Sequence, residues 1–297
     1  MIFSKFVLKI NKVEDLYKTE QGKNEILSLY DEKLATLAIA YETHNVHTGY
    51  GITNIISTGL DSNPPILVIH GSNGCAPIAL ETYLGLSKAF KVYAIDVLGQ
   101  PNKSAQTRLS MKDDSYGQWI NEIIDLLQLE NVTMAGFSFG GLVILKTLEF
   151  NERKIKAVYL SAPGYIVNGN PLKALFKIFI PMKRFVKTEN IKYVERFLAQ
   201  VFTERDEFAV KFLSKVFLHF KMDFTPVPVI SKRKAQAIET PIFLIGAKDD
   251  ILFPGVKMIK RASKIFPSLK KSLLLEKSKH VQSKKDNVII QDIILNK

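Results

Sequence analysis

The sequence is poor in cysteine: Cys75 is the only one among 297 residues. A single cysteine excludes an internal disulfide and any zinc site built from cysteine ligands. Scarce cysteine favours a reducing compartment, so we expect a cytoplasmic protein. We expect Cys75 itself to be a small buried apolar residue.

Long apolar runs are missing as well. No stretch approaches the ~20 apolar residues that a membrane-spanning helix needs. The first residues, MIFSKFVLKINKVEDLY, carry lysines and acidic residues throughout. A secretory signal peptide requires an uninterrupted apolar segment. We therefore expect neither a signal peptide nor a transmembrane helix.

Acidic residues are fewer than basic ones: 41 Lys and Arg stand against 29 Asp and Glu, a net charge of +12. Such a balance can indicate nucleic-acid or membrane binding. Here the lysines are spread along the whole chain, and no arginine-rich helix, zinc-finger spacing or RNA-binding motif accompanies them. We expect a lysine-rich solvated surface and no nucleic-acid partner. The sequence is compatible with a monomer or a homodimer.

Short apolar runs alternate with amphipathic stretches along most of the chain. The runs predict strands at 66–69, 92–95, 132–135, 157–160, 241–245 and 272–275. Helices are predicted at 22–38, 115–129, 142–150, 255–265 and 284–295. Strands that alternate with helices predict an α/β fold with a mostly parallel sheet and helices on both faces. Residues 35–60 are expected to add an antiparallel hairpin at the sheet edge.

Residues 164–235 interrupt this alternation with a long, mostly helical and basic segment of 14 Lys and Arg against 6 Asp and Glu. We predict a helical cap, or lid, at 164–235, a core at 41–163 and 236–297, and an N-terminal helical extension at 1–40. Leu172, Leu175, Phe176 and Phe179 share one helical face, which we expect to cover a substrate pocket. Docking of this basic amphipathic helix on a membrane is the alternative.

The most informative motif is Gly136-Phe137-Ser138-Phe139-Gly140-Gly141, between a predicted strand and a predicted helix. A serine on such a sharp turn exposes its hydroxyl, and the flanking glycines allow close approach of the backbone. The N-terminus of the following helix favours an oxyanion. Ser138 is therefore the candidate nucleophile.

A serine nucleophile needs a base and a group that orients the base. His280 follows the last predicted strand and is the candidate base, whereas His219 lies in the cap, where we expect a structural role. Asp249 and Asp250 both follow the strand at 241–245. We favour Asp249 as the acid and keep Asp250 as the alternative.

An oxyanion hole needs two backbone N–H groups. Phe139, directly after the nucleophile, supplies the first. The second is expected from the loop after the strand at 66–69, with the N–H of Ser72 ahead of that of Asn73. We expect His70, in the same loop, to be structural.

In these motifs and their order the chain resembles the α/β-hydrolase superfamily, over roughly residues 40–297. The resemblance rests on His70-Gly71, Asp96 with Gly99, the turn at Ser138, Gly246 to Asp249 with Pro254, and His280. The whole run looks like a bacterial carboxylesterase-like branch. This resemblance implies hydrolysis of a carboxylic ester through an acyl-enzyme on Ser138, with no cofactor and no metal.

The substrate is expected to be a small ester with an apolar acyl or alcohol group, because the cap is rich in Phe, Ile and Leu. The same triad can act on a thioester, a lactone or a carbon–carbon bond, or work as a cofactor-free haloperoxidase. A non-catalytic small-molecule binding protein on a hydrolase scaffold is the alternative of another class.

Overall fold

The computed structural model describes residues 15–296. The predictions for residues 1–14 lie outside the described residues. Within these residues, eight strands form one sheet in the order β1-β2-β4-β3-β5-β6-β7-β8. The strands are β1 (Glu42–Thr48), β2 (Gly51–Thr58), β3 (Pro65–Ile69), β4 (Lys91–Ile95), β5 (Val132–Phe137), β6 (Ile155–Ser161), β7 (Ile242–Ala247) and β8 (Leu269–Leu275).

Helices connect most of the strands. They are α1 (Glu20–Thr36), α2 (Ala76–Tyr83), α3 (Ser115–Leu126), α4 (Phe139–Phe150), α5 (Pro171–Ala174), α6 (Ile180–Thr188), α7 (Lys192–Val201), α8 (Glu207–His219), α9 (Lys232–Gln236), α10 (Gly255–Ile265) and α11 (Lys284–Leu295). A 3₁₀ turn at Leu84–Lys88 follows α2, and a π turn at Leu175–Phe179 joins α5 to α6.

The central strands are buried on both faces, which is why their sequences are continuously apolar. In β3, Ile66 and Val68 point into one apolar core, and Leu67 and Ile69 into the other. Trp119 of α3 packs in the same core as Leu67. Helices therefore cover both faces of the sheet.

The predicted α/β fold is confirmed. All strands from β3 onward pair in parallel, whereas β1 with β2 and β2 with β4 are antiparallel. The expected edge hairpin is β1 with β2. Most predicted elements are shorter than the observed ones by one to three residues at an end, where capping and turn geometry decide the boundary.

The segment 164–235, called the insertion below, contains α5 to α8 and all of α9 except its last residue, Gln236. Its first helix runs without a break from Pro171 to Thr188, through the π turn. Pro181 lacks the N–H that an α-helix would use, and its ring would clash with the carbonyl of Lys177, so the wider turn just before it relieves the conflict. Glu189 then adopts a left-handed conformation, with φ of 53°, and ends the helix.

Of the four apolar residues expected on one face of this first helix, Leu175 and Phe179 line a groove that is described below. Leu172, Leu175 and Phe176 are exposed, whereas Ile178, Met182 and Phe185 are buried. Met182 and Phe185 belong to the apolar core that also contains residues of α1, α2, α7 and α8, so the helix rests on the face that carries them. Among the residues that the structure describes, no helix has the length and apolarity needed to cross a bilayer.

Candidate active site

Strand order brings two loops together at one edge of the sheet. β3 lies between β4 and β5. The chain therefore leaves β3 to form β4 on one side of it and later returns to form β5 on its other side. Ligands of open α/β sheets bind where the strand order reverses in this way, beyond the carboxyl ends of the strands. Ile69 pairs with Gly136, which places the loop starting at His70 beside Ser138.

Ser138 lies on a strained turn between β5 and α4, with φ of 54° and ψ of −112°. A Cβ at Gly140 would come within 2.3 Å of the carbonyl oxygen of Ile69, and one at Gly136 within 2.6 Å of Ile144. The two glycines therefore let the turn pack against β3 and α4. Such strain is commonly stored at functional sites, where it fixes one reactive group.

A chain of hydrogen bonds joins three buried side chains at this edge. Ser138 Oγ lies 2.8 Å from His280 Nε2, and His280 Nδ1 lies 2.7 Å from Asp250 Oδ2. The imidazole is enclosed by two aromatic rings, those of Phe137 at 5.0 Å and Phe253 at 5.5 Å between ring centres. A hydroxyl that contacts an imidazole held by a carboxylate has the arrangement that activates a serine nucleophile.

The structure places Asp250, and not the favoured Asp249, against His280. Asp249 is exposed, and its backbone N–H donates to the carbonyl of Ser278 at 3.0 Å. The chain turns back one residue later and buries the carboxylate of Asp250. One oxygen of Asp250 accepts from His280, and the other accepts from the backbone N–H groups of Leu252 at 2.7 Å and Phe253 at 3.0 Å.

Of the two residues expected to supply an oxyanion hole, Phe139 directly follows Ser138, and Ser72 belongs to the loop that begins beside it. Phe139 begins α4, and the first N–H groups of a helix have no partner within the helix. Gly71, just before Ser72, approaches Ser138 so closely that a Cβ there would lie 3.3 Å from the serine Cβ. The N–H of Asn73 donates to the Gln100 amide oxygen at 2.7 Å, which favours Ser72 over Asn73 as the second donor.

His70 holds the loop that carries Ser72. Its Nδ1 lies 2.7 Å from the carbonyl oxygen of Gly71, and its Nε2 accepts from the N–H of Val97 at 3.0 Å. Burial lowers the pKa of His70 from 6.5 to about 4. Below pH 6.5, His70 therefore binds a proton in the unfolded chain, whereas in the folded chain it stays neutral down to about pH 4. The stability that neutral, folded His70 contributes above pH 6.5 is lost as the pH falls through this range.

We expect His70→Gln to be less stable than the wild type near neutral pH, with the gap narrowing by about 2 kcal/mol near pH 5. Glutamine keeps a hydrogen-bonding amide but does not titrate. Urea unfolding of both proteins at the two pH values measures the gap. Burial also raises the pKa of Asp96 to about 6, but Asp96 is present in both proteins. A gap that does not change with pH would contradict the prediction.

The insertion contacts the loop of His280 on both sides of the imidazole. The N–H of Val281 donates to the carbonyl of Val201 at 2.9 Å, and the Thr203 N–H donates to the Val281 carbonyl at 3.0 Å. Thr203 Oγ1 accepts from the N–H of Lys279 at 2.9 Å. Sequence reasoning missed Thr203, since no motif identifies a threonine whose partners lie about 80 residues away.

A large apolar groove lies between the first helix of the insertion and the end of α8. It encloses about 630 Å³. Twelve of the described residues line it: Lys18, Leu175, Phe179, Ile180, Met182, Lys183, Val186, Phe217, Phe220, Lys221, Met222 and Phe224. Neither Ser138 nor His280 is among them. Within 15–296, no group of three or more His, Cys, Asp or Glu side chains is placed to hold a metal ion.

Known proteins resemble this chain in sequence. A sequence profile described as alpha/beta hydrolase fold matches residues 64–179. Carboxylesterase YbfK of Bacillus subtilis (strain 168) is 29% identical over 143 residues, which are 48% of each chain. The uncharacterized carboxylesterase nap of the same organism is 26% identical over 135 residues, 46% of this chain and 45% of nap. Each match therefore spans about half of the relative.

Solved structures share the fold over nearly the whole chain. Naproxen esterase (carboxylesterase NP) from Bacillus subtilis superposes with a TM-score of 0.81 at 19% identity, over 94% of this chain and 99% of that one. Carboxylesterase CesB (YbfK) gives a TM-score of 0.79 at 19% identity, over 93% of this chain and 98% of that one. The chain therefore has the α/β-hydrolase fold and is similar in sequence to bacterial carboxylesterases over about half of its length.

Proposed function

We propose that this protein hydrolyses carboxylic esters through an acyl-enzyme on Ser138. The observation that carries the proposal is the buried chain of hydrogen bonds from Ser138 through His280 to Asp250. Ser138 Oγ attacks the ester carbonyl carbon, and His280 Nε2 accepts the hydroxyl proton. The negative charge on the carbonyl oxygen is stabilised by the N–H groups of Phe139 and Ser72.

Collapse of the tetrahedral intermediate breaks the bond to the alcohol, which leaves with the proton from His280. Water then attacks the acyl-enzyme while His280 removes its proton, and the carboxylic acid is released. Asp250 keeps the imidazole in the tautomer that has Nδ1 protonated, and its charge stabilises the imidazolium formed in each half-reaction. Its second oxygen is occupied by two backbone donors, so the carboxylate is held in one orientation.

The proposed substrate carries an apolar acyl or alcohol group. Support comes from the groove, where nine of the twelve lining residues are apolar and the other three are lysines. Ligand sites of this kind typically enclose ~300–1,000 Å³ with mainly apolar walls. The lysines add positive charge to this wall.

Two measurements on the wild-type protein test the proposal. We expect hydrolysis of p-nitrophenyl esters from acetate to dodecanoate, with the optimum at a medium or long chain. A fluorophosphonate probe should form a covalent adduct, and peptide mapping should locate it on Ser138. A folded protein that neither hydrolyses these esters nor reacts with the probe would show that the proposal is wrong. Labelling at Ser138 without ester turnover would point to a different scissile bond.

A further inference from the structure

The first helix of the insertion exposes large apolar side chains to solvent. Leu172 and Phe176 are 63% and 64% exposed, and Leu175 is 43% exposed. Their spacing of three and four residues makes them neighbours on one side of the helix. Val186 and Ile191, toward the other end of the segment, are also exposed, at 41% and 44%. We call these five side chains the outer face.

The outer face is continuous with the apolar groove. Leu175 and Val186 belong to both. The ring of Phe179, one turn beyond Leu175, packs against the ring of Phe224, with 5.6 Å between the ring centres. Phe224 is itself 56% exposed. Contiguous exposed apolar surface of this kind on a soluble fold usually marks an interaction site.

Positive charge surrounds the outer face. Residues 171–192 contain six basic residues and one acidic residue, Glu189. The basic residues are Lys173, Lys177, Lys183, Arg184, Lys187 and Lys192, and all six are exposed. None of the five lysines forms an ion pair with another described residue. On α8, in contrast, Lys211 and Lys215 pair with Glu32 and Glu25 of α1.

We propose that the outer face docks the protein on an anionic lipid surface, with the first helix of the insertion lying in the plane of the interface. Apolar side chains that enter the boundary between headgroups and acyl chains, flanked by cations that contact anionic headgroups, are the features of such a helix. In this orientation Leu175 and Val186, which belong to both the outer face and the groove, face the lipid. This inference is independent of the proposed ester hydrolysis.

Charge favours a lipid surface over a second copy of the chain. Two outer faces brought together would place their unpaired lysines against one another, which is unfavourable at an interface. The chain as a whole also carries a net charge of +12, so copies repel one another. An anionic bilayer instead attracts the lysines through its headgroups, and its acyl chains surround the apolar side chains of the outer face.

Co-sedimentation with vesicles tests the proposal on the full-length protein. We expect binding to vesicles of phosphatidylcholine and phosphatidylglycerol in equal parts, and little binding to phosphatidylcholine alone. High salt should weaken the binding, because exposed charges are screened. A wild-type protein that binds neither kind of vesicle at low salt would overturn the proposal.

Two double variants separate the charge from the apolar contacts. Lys173→Glu with Lys177→Glu should weaken binding at least about 25-fold, since each lysine near an anionic surface strengthens binding about fivefold. Leu172→Ser with Phe176→Ser should weaken it at least about tenfold, because their apolar area no longer leaves water. Leu172 and Phe176 are exposed and do not line the groove, so the fold and the groove should stay intact.

Two control variants place a double charge reversal and a single apolar substitution elsewhere on the surface. Lys270→Glu with Lys271→Glu on β8 alters the net charge equally, and Leu60→Ser removes an apolar side chain that is 68% exposed. Both controls should bind vesicles as the wild type does. Equal losses in controls and outer-face variants would contradict a localised site. Sedimentation velocity gives a second test. If the wild type is a dimer that does not bind vesicles, and L172S/F176S is a monomer, the outer face is a protein interface and the proposal is wrong.

Discussion

Ser138→Ala is expected to lower kcat for p-nitrophenyl ester hydrolysis by at least about 10⁴-fold and to abolish fluorophosphonate labelling. Alanine removes the only atom that would form the acyl bond while leaving the backbone of the turn unchanged. The remaining activity should come from the N–H groups of Phe139 and Ser72 and from substrate binding, which do not require the hydroxyl. Initial rates under saturating ester measure the effect.

The control for this variant is Ser268→Ala. Ser268 is buried, its hydroxyl has no hydrogen-bond partner among the described residues, and its carbonyl accepts from Ile242 at the start of β7. It therefore lies at the amino ends of the parallel strands, whereas Ser138 lies at their carboxyl ends. Ser268→Ala should keep wild-type activity. Substantial ester turnover by folded Ser138→Ala would exclude Ser138 as the nucleophile.

Asp250→Asn is expected to lower kcat about 10⁴-fold, whereas Asp249→Asn should leave it within about twofold of the wild type. The asparagine Oδ1 can still accept from Leu252 and Phe253, so the turn keeps its geometry. Its amide nitrogen then faces His280 Nδ1 and favours the tautomer that has Nε2 protonated. That imidazole cannot take the proton of Ser138.

The neighbouring aspartates are a matched pair, since both variants remove one negative charge from the same turn. Steady-state kinetics of the two variants, with thermal unfolding as the test of folding, gives the comparison. If Asp249→Asn were the more damaging variant, the orienting role of Asp250 would be excluded.

The order of the motifs could be predicted from the sequence, but the choice between the two aspartates could not. The turn at Ser138 and the position of His280 depend on local patterns: glycine spacing, a strand before and a helix after. Asp249 and Asp250 differ only in the direction in which the turn after Ala247 points them.

In the insertion, too, the local pattern could be predicted from the sequence, but the surroundings of the side chains could not. Periodicity predicted a shared helical face for Leu172, Leu175, Phe176 and Phe179, because the α-helical repeat is a local property. The surface that this side faces depends on how α6, α7 and α8 pack, which involves residues far apart in sequence. Buried residues of the same helix, such as Met182 and Phe185, compete for the protein interior and occupy it.

The hydrogen bonds between Thr203 and the His280 loop restrict how the insertion can be re-engineered. An insertion attached only at its two ends could be exchanged as a module between related scaffolds. Here the segment around Val201 and Thr203 also supports the backbone on either side of His280. A chimera that replaces residues 164–235 therefore needs an equivalent of this segment, or its imidazole will lose the backbone that positions it. Local opening of the two segments should be one cooperative event.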